Sequence, residues 1–274
     1  MGKLQQWAAR LAVAGFQSRV ICRGFDWLAA QRRRVLRRQV EKRLRERGLY
    51  GDEVVFGPFR GLRFDEQWVG SRFEKTIGAY EAELHAVVEG LCARPYTDII
   101  NVGCAEGFYA IGLARRIPDA RVWAYDSNPR ALEQCRKLAR LNEVAARIEL
   151  GGFCDIDTLN NLPLRGRTLI VCDCEGYELD LLNPAAAPRL KNADILVELH
   201  DFKNRSISPV LRQRFAATHD LAVIQNEGLV YSHYPILRQL TFAEIYAMVG
   251  EERLEIMEWF WLTAKSWKTP QAQP

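Results

Sequence analysis

The chain has 274 residues, 48% of them apolar and 26% charged, with a formal net charge of +4, a balance ordinary for a folded globular protein. No uninterrupted apolar run approaches the ~20 residues that span a bilayer. The seven cysteines, odd in number and without a CxxC spacing, point to reduced thiols in a cytosol rather than a disulfide framework.

The charge is unevenly spread. Residues 1–48 hold 13 Lys and Arg against 3 acids, while the remainder holds 25 against 31. Within this basic arm, residues 3–30 read as an amphipathic helix with Leu4, Trp7, Ala8 and Leu11 at helical spacing. Residues 32–47 are Arg-rich, with Leu36, Val40 and Leu44 four apart, and Gly48 ends the arm. Three readings stay open: an extension packed on the main domain with a solvated basic face, a helix held on an anionic membrane surface or another acidic partner, and an organellar transit peptide. No apolar stretch follows Arg32-Arg33-Arg34, which argues against a twin-arginine export signal.

Residues 53–75 are punctuated by glycine and aromatics and suggest short strands or a hairpin, with Ser71 and Glu74 forming a capping box for the next helix. That helix is expected over Ile77–Leu91, burying Leu84, Val87, Val88 and Leu91.

The stretch DIINVGCAEGFYAIGLARRIPDARVWAYDSN (98–128) organises the rest. Asp98–Val102 is a predicted buried strand, and a turn of small residues follows, with Gly103 and Gly107 bracketing Cys104, Ala105 and Glu106. Phe108–Arg116 is a predicted helix whose first N–H groups face back toward the turn and favour an anionic group. A second strand, Arg121–Tyr125, ends at Asp126, placed to accept hydrogen bonds from ribose hydroxyls. The unit therefore binds a nucleoside-containing cofactor. The dinucleotide fingerprint wants glycines at i, i+2 and i+5, and here Gly103, Ala105 and Phe108 stand there.

Beyond Asp126, Ser127 and Asn128 cap a helix that begins at Pro129 and runs to about Leu141. Further strands are expected at Arg147–Leu150, Thr168–Cys172, Asp194–Val197, Leu221–Ile224 and Trp259–Thr263. Helices are expected at Tyr177–Leu182 and 207–217. An insertion over 226–257 carries its own helix, capped by Thr241 and Glu244 and closed by Gly250. Strands alternating with helices imply a mostly parallel sheet covered on both faces.

The spacing Asn101-x-Gly103-x-Ala105-x-Gly107 resembles motif I of the S-adenosylmethionine-dependent methyltransferases, with Asn101 in place of the usual acid and Ala105 in place of the middle glycine. LIVCDCEGYELDLL (169–182) is similar to the Asp-x-Glu-Gly-x-Glu segment of FkbM-type methyltransferases, carried here by Asp173, Glu175, Gly176 and Glu178. ILVELHDF (195–202) resembles that family's Glu-x-His strand end, filled by Glu198 and His200. GAYEAEL (78–84) resembles the entry helix of related enzymes. The resemblance covers roughly residues 78–225 and the last strand. It implies an α/β fold with a seven-stranded, mostly parallel doubly wound sheet, in which the fourth and fifth strands lie beside the motif I strand. It also implies methyl transfer to a hydroxyl of a sugar, glycan or secondary metabolite. Asp-Cys-Glu-Gly stands where nucleic-acid amino-methyltransferases place Asp/Asn-Pro-Pro-aromatic, which argues against a nucleic-acid acceptor. Cys172 and Cys174 lack the proline that precedes the nucleophile of cytosine methyltransferases and read as small strand-end residues.

The expected cofactor site is Gly103, Cys104, Ala105, Glu106, Gly107, Phe108 and Tyr109 around the amino-acid end, Asp126 and Ser127 at the ribose, and Phe153 and Cys154 beside the adenine. The expected catalytic residues are Asp173, Glu175, Glu198 and His200. The favoured chemistry makes His200 the base for the acceptor hydroxyl. The alternative is a divalent cation held by Asp173, Glu175 and Glu198. In domain terms, a basic extension (1–50) precedes a methyltransferase domain (51–268), whose segments 51–76 and 226–257 face the acceptor, and a polar tail (269–274) follows. The chain is expected in the cytoplasm or peripheral to a membrane. The competing readings are a nicotinamide-dependent oxidoreductase and a catalytically silent scaffold that holds an anionic partner through the arm.

Overall fold

A computed structural model describes residues 19–65, 72–226, 228–249 and 257–267. Residues 3–18 of the expected first helix, Ser71, Gly250 and the tail lie outside the described residues.

The strands are β1 (Asp98–Val102), β2 (Arg121–Tyr125), β3 (Ile148–Gly151), β4 (Thr168–Cys172), β5 (Asp194–Leu199), β6 (His219–Gln225) and β7 (Glu258–Ala264). The helices are α1 (Arg19–Glu46), α2 (Arg72–Ile77), α3 (His85–Cys92), α4 (Phe108–Arg116), α5 (Pro129–Leu141), α6 (Ile156–Asn161), α7 (Glu178–Leu181), α8 (Ile207–Phe215) and α9 (Phe242–Val249). The seven strands form one sheet in the order β3-β2-β1-β4-β5-β7-β6. The first five run parallel, and β7 lies antiparallel between β5 and β6. The expected seven-stranded, mostly parallel α/β sheet is therefore present, with the motif I strand at its centre.

Alternation along the central strands sends side chains to two cores. Ile99, Leu169, Val171 and Leu196 pack on one face with Ile111 and Leu113 of α4 and Leu138 of α5. Ile100, Ile170, Ile195 and Val197 pack on the other with Leu181, Leu211 and Phe215. Burial on both faces is why β1, β4 and β5 read as continuous apolar runs. At the strand-entry edge, Asp194 is fully buried and accepts from Tyr96 Oη (2.6 Å), Arg94 (2.9 Å), Arg167 (2.9 Å) and the Ala264 N–H (2.9 Å). It ties β5 to the antiparallel β7.

The register sets up the opposite edge. Val102 lies level with Tyr125 and with Cys172, and Cys172 lies level with Val197. The next residues of each strand, Gly103, Asp126, Asp173 and Glu198, therefore emerge at one edge, where open parallel sheets bind ligands.

Local chemistry explains the helix starts. Asn128 caps α5 by accepting the Arg130 N–H at 3.0 Å, and Pro129 takes the first helical position. The helix expected over Ile77–Leu91 is instead broken. α2 ends at Ile77, Gly78 turns at φ 72°, Glu81 sits at φ 48°, and a 3-10 turn over Ala82–Leu84 leads into α3. A Cβ on Gly78 would lie 2.2 Å from the Phe56 carbonyl oxygen, so the turn lets these two backbones meet. The strands expected within 53–75 reduce to one antiparallel bridge, Glu53 to Arg63.

The described residues fall into two compact units: 19–51 with 231–249, and 52–230 with 257–267. The sheet belongs to the second. In the first, α9 is capped by Thr241 and Glu244 as expected: the Thr241 N–H reaches Glu244 Oε2 at 2.8 Å, and the Glu244 N–H reaches Thr241 Oγ1 at 3.4 Å. α9 packs on α1 through an Arg43–Glu244 ion pair (2.8 Å) and the Arg33 guanidinium over the Tyr246 ring (5.3 Å).

Candidate active site

The turn after β1 is built by three residues with positive φ: Gly103 (75°), Ala105 (45°) and Gly107 (96°). The N–H groups of Gly103 and Cys104 both donate to the Tyr125 carbonyl at 2.9 Å, which fastens the turn to β2. The Ala105 N–H donates to Asp126 Oδ2 at 2.8 Å, and the Asn128 N–H to Asp126 Oδ1 at 2.7 Å. Two backbone donors thus fix the carboxylate, and each oxygen keeps lone-pair capacity for a ligand.

A pocket of about 310 Å³ opens at this edge. Its wall includes Gly103, Ala105, Asp126, Ser127, Phe153 and Cys154 of the expected cofactor set, together with Asp173 and Glu175 of the expected catalytic set. Sequence reasoning missed two aromatic members, Tyr125 and Tyr177. The Phe153 ring, 59% exposed, lies 5.0 Å from the Tyr177 ring, so an aromatic pair stands at the pocket. Burial pushes the Tyr125 hydroxyl and the Cys154 thiol each up to about 12.

Five members of the expected cofactor set are absent from the pocket wall: Gly107, where a Cβ would meet Cys135 and Ile111, and the four side chains that follow. Cys104 is buried, and its thiol is pushed up by a hydrogen bond with Cys135 and by burial. Glu106 forms an ion pair with Lys75 at 2.7 Å, and the Lys75 ammonium lies 4.5 Å over the Tyr80 ring. The Phe108 ring packs against Phe59 and Tyr80, and the Tyr109 hydroxyl donates to Glu81. These side chains turn into the core, leaving the backbone of the turn to face a ligand. The signal for this was available in part, because Phe108 and Tyr109 open an amphipathic helix whose apolar face must be buried.

The second centre lies at the ends of β4 and β5. Glu175 (φ 57°) and Gly176 (φ 106°) turn the chain so that Glu178 comes back toward β5. Glu178 is fully buried, and its Oε1 takes the Gly176 N–H at 3.1 Å and His200 Nδ1 at 2.7 Å. His200, only 2% exposed, points its Nε2 between Asp173 Oδ1 (3.6 Å) and Glu175 Oε2 (3.7 Å). Lys203 Nζ donates to the Glu175 carbonyl at 2.9 Å and also to its carboxylate. Asp173 Oδ1 is buried with no hydrogen-bond partner. The Glu198 side chain, which follows Val197 at the end of β5, is itself buried. Asp173, Glu175, Glu198 and His200 are thus brought together as expected, and Glu178 and Lys203 join them.

The electrostatics follow from this packing. Burial lifts the Asp173 carboxyl above the ordinary range, against the pull of His200. Burial pushes Glu178 up, but hydrogen bonds from His200 and the Gly176 N–H outweigh it and hold Glu178 low. Burial pushes His200 down, but the hydrogen bond and charge of Glu178, with Asp173 and Glu175, hold it above its ordinary value. The Cys172 thiol is fully buried and raised by its contact with Cys174, at 3.5 Å, and by burial, which removes it as a nucleophile.

Residues 99–188 match a family model described as a methyltransferase domain. The matched segment, 99–188, runs from β1 through α7 and so takes in the turn after β1 and the end of β4. The chain is 30% identical over 151 residues to the release factor glutamine methyltransferase of Chlorobaculum tepidum, a match covering 54% of this chain and 48% of that protein. It is 26% identical over 190 residues to the carboxy-S-adenosyl-L-methionine synthase of Sodalis glossinidius, covering 62% and 72%. This chain therefore spans about half the length of the first of these relatives. A solved structure, the precorrin-6y C5,15-methyltransferase of Geobacter metallireducens GS-15, matches at a TM-score of 0.47 with 13% identity, covering 74% of this chain and 96% of that one.

Proposed function

We propose that the methyltransferase domain uses S-adenosylmethionine to methylate a hydroxyl oxygen of a sugar, glycan or secondary metabolite, in the manner of the FkbM-type enzymes its sequence resembles. One observation carries this reading: a single pocket joins Asp126, the ribose-type acceptor after β2, to Asp173 and Glu175 after β4. The residues present fit the cofactor. Asp126 is held ready by two backbone donors, and Phe153 and Tyr177 offer apolar surface for a purine.

The cofactor, when bound, supplies an electrophilic methyl group. The chain supplies position, which accounts for much of the acceleration of a one-step displacement. Gly103 and Ala105 would bring backbone close to the ligand, Asp126 would hold the ribose, and Cys154 would border the adenine. Asp173 and Glu175 border the acceptor end, where a hydroxyl must also lose its proton. Equilibrium binding and labelled methyl transfer into fractionated extract test the reading together. Stabilisation by S-adenosylmethionine and S-adenosylhomocysteine, without stabilisation by NAD, is expected. A chain stabilised by none of the three overturns it.

We propose further that α1 lies against an anionic membrane surface. Trp27, Leu28 and Val35 are 62%, 55% and 54% exposed, and Arg34, Arg38 and Lys42 are exposed on the same face, one stripe over. A basic face interleaved with large apolar side chains suits the headgroup boundary. Among the described residues no helix is long and apolar enough to cross a membrane.

A further inference from the structure

We infer that Asp173, Glu175 and His200 form a divalent-cation site at the acceptor end of the pocket, in which His200 is a ligand and not a base. Each of the three offers one ligand atom, and these atoms all lie within 4.8 Å of one another. The sequence alternative put Glu198 in this set. The geometry puts His200 there with Asp173 and Glu175.

Three features beyond the clustering of charge point to a cation. First, His200 Nε2 stands 3.6 and 3.7 Å from the two carboxylate oxygens. That is too long for hydrogen bonds. It suits neighbouring donors on one ion, since bonds of about 2.0–2.2 Å place adjacent donors a little over ~3 Å apart. Second, the ring is almost fully buried, and its other nitrogen is taken by Glu178, itself fully buried, at 2.7 Å. A proton on Nδ1 shared with that carboxylate leaves the Nε2 lone pair aimed at Asp173 and Glu175. This carboxylate–histidine relay is the arrangement that orients imidazole ligands at metal centres. Third, Asp173 Oδ1 is buried without a hydrogen-bond partner, and a buried carboxylate oxygen is costly to leave unmet.

Mixed imidazole and carboxylate donors suit manganese, ferrous iron or zinc better than calcium. Lys203, 39% exposed, holds the Glu175 carboxylate and must share it with the ion. Asp173 and Glu175 both line the pocket, so an acceptor hydroxyl held there would lie beside the ion. The cation then carries the alkoxide charge as the proton leaves to solvent. This catalytic use rests on the methyl-transfer reading above; the binding of the ion does not.

The test uses the full chain, chelated, desalted and titrated with manganese, with free ion followed by electron paramagnetic resonance. One equivalent should bind, with nitrogen coupling from His200. Asp173→Asn and His200→Ala should each weaken binding by at least ~tenfold, and Glu178→Gln by ~10–100-fold through ring orientation. Lys203→Met should retain or tighten binding by removing a competitor for Glu175. If His200→Ala fails to fold, the near-isosteric Asp173→Asn carries the test. Absence of stoichiometric manganese or zinc binding overturns the proposal, as does binding that neither Asp173→Asn nor His200→Ala changes. S-Adenosylmethionine binding without metal binding would remove the metal site and spare the function. Metal binding without cofactor binding would do the reverse.

Discussion

Gly103 and Asp173 stand so close that a Cβ on the glycine would lie 1.6 Å from the aspartate carbonyl oxygen. The turn after β1 and the end of β4 are therefore in backbone contact, and the Asp173 N–H completes the join by donating to the Val102 carbonyl at 2.9 Å. Gly103→Ala should cost about 2–4 kcal/mol, because the clash is with backbone and φ is already positive. Gly152→Ala, with nothing within 4 Å of its Cβ, should stay within about 0.5 kcal/mol. Urea unfolding midpoints of the two variants check this, and equal midpoints would refute it.

Asp126→Ala should weaken S-adenosylmethionine by at least about tenfold, since hydrogen bonds to a charged acceptor contribute roughly 1.5–3 kcal/mol. Asp126→Asn, which can still accept the Ala105 N–H, should fall between wild type and Ala. Calorimetric titration decides, and an unchanged dissociation constant for Asp126→Ala would remove this residue from the cofactor site.

Asp194 gives the fold an acid-sensitive anchor. Burial pushes its carboxyl up, but hydrogen bonds from Tyr96, the Ala264 N–H and Arg167 prevail and hold it below 3.8. A depressed folded value means the stabilisation is fully present above 3.8 and is lost as pH falls through the lower, folded value. Asp194→Ala should cost about 3–5 kcal/mol at neutral pH, because it strands Arg94 and Arg167 beside a buried gap. Its stability should also vary less with pH below 4 than that of wild type. Parallel acid unfolding curves for the two proteins would argue against the anchor.

The arm should bind vesicles containing anionic lipid and not neutral ones. Binding should fall as salt shortens the electrostatic reach to about 8 Å at physiological ionic strength. Trp27→Ala should weaken it with little loss of salt dependence, and Arg34→Gln with Arg38→Gln should flatten the salt dependence. Equal sedimentation with neutral and anionic vesicles would count against a membrane role.

Much of the sheet was legible because the strands that matter are buried on both faces. β1, β2 and β4 have the bounds expected from their apolar runs. The cofactor turn was legible because its glycines answer to backbone geometry, and backbone geometry leaves a mark in sequence. The break at Gly78 was not, since the spacing of Leu84, Val88 and Leu91 suits a helix and only Phe56, distant in sequence, imposes the turn. The directions of Glu106 and Tyr109 were hidden for the same reason: Lys75 and Glu81 claim them from another segment. Glu178 stood in the recognised segment, but its partnership with His200 depends on the left-handed turn at Glu175, a non-glycine residue that does not announce positive φ.

The antiparallel strand near the sheet's edge has a bearing on biosynthesis. β6 is translated before β7, yet it joins the sheet only through β7, as does the outer side of β5. Until Glu258–Ala264 leaves the ribosome, the nascent chain carries an open strand edge on β5 and a β6 segment with no ladder to enter. A message cut short before Glu258 would therefore yield more than a shortened enzyme. It would release a nearly finished sheet with an adhesive border, the kind of product that chaperones hold and proteases remove.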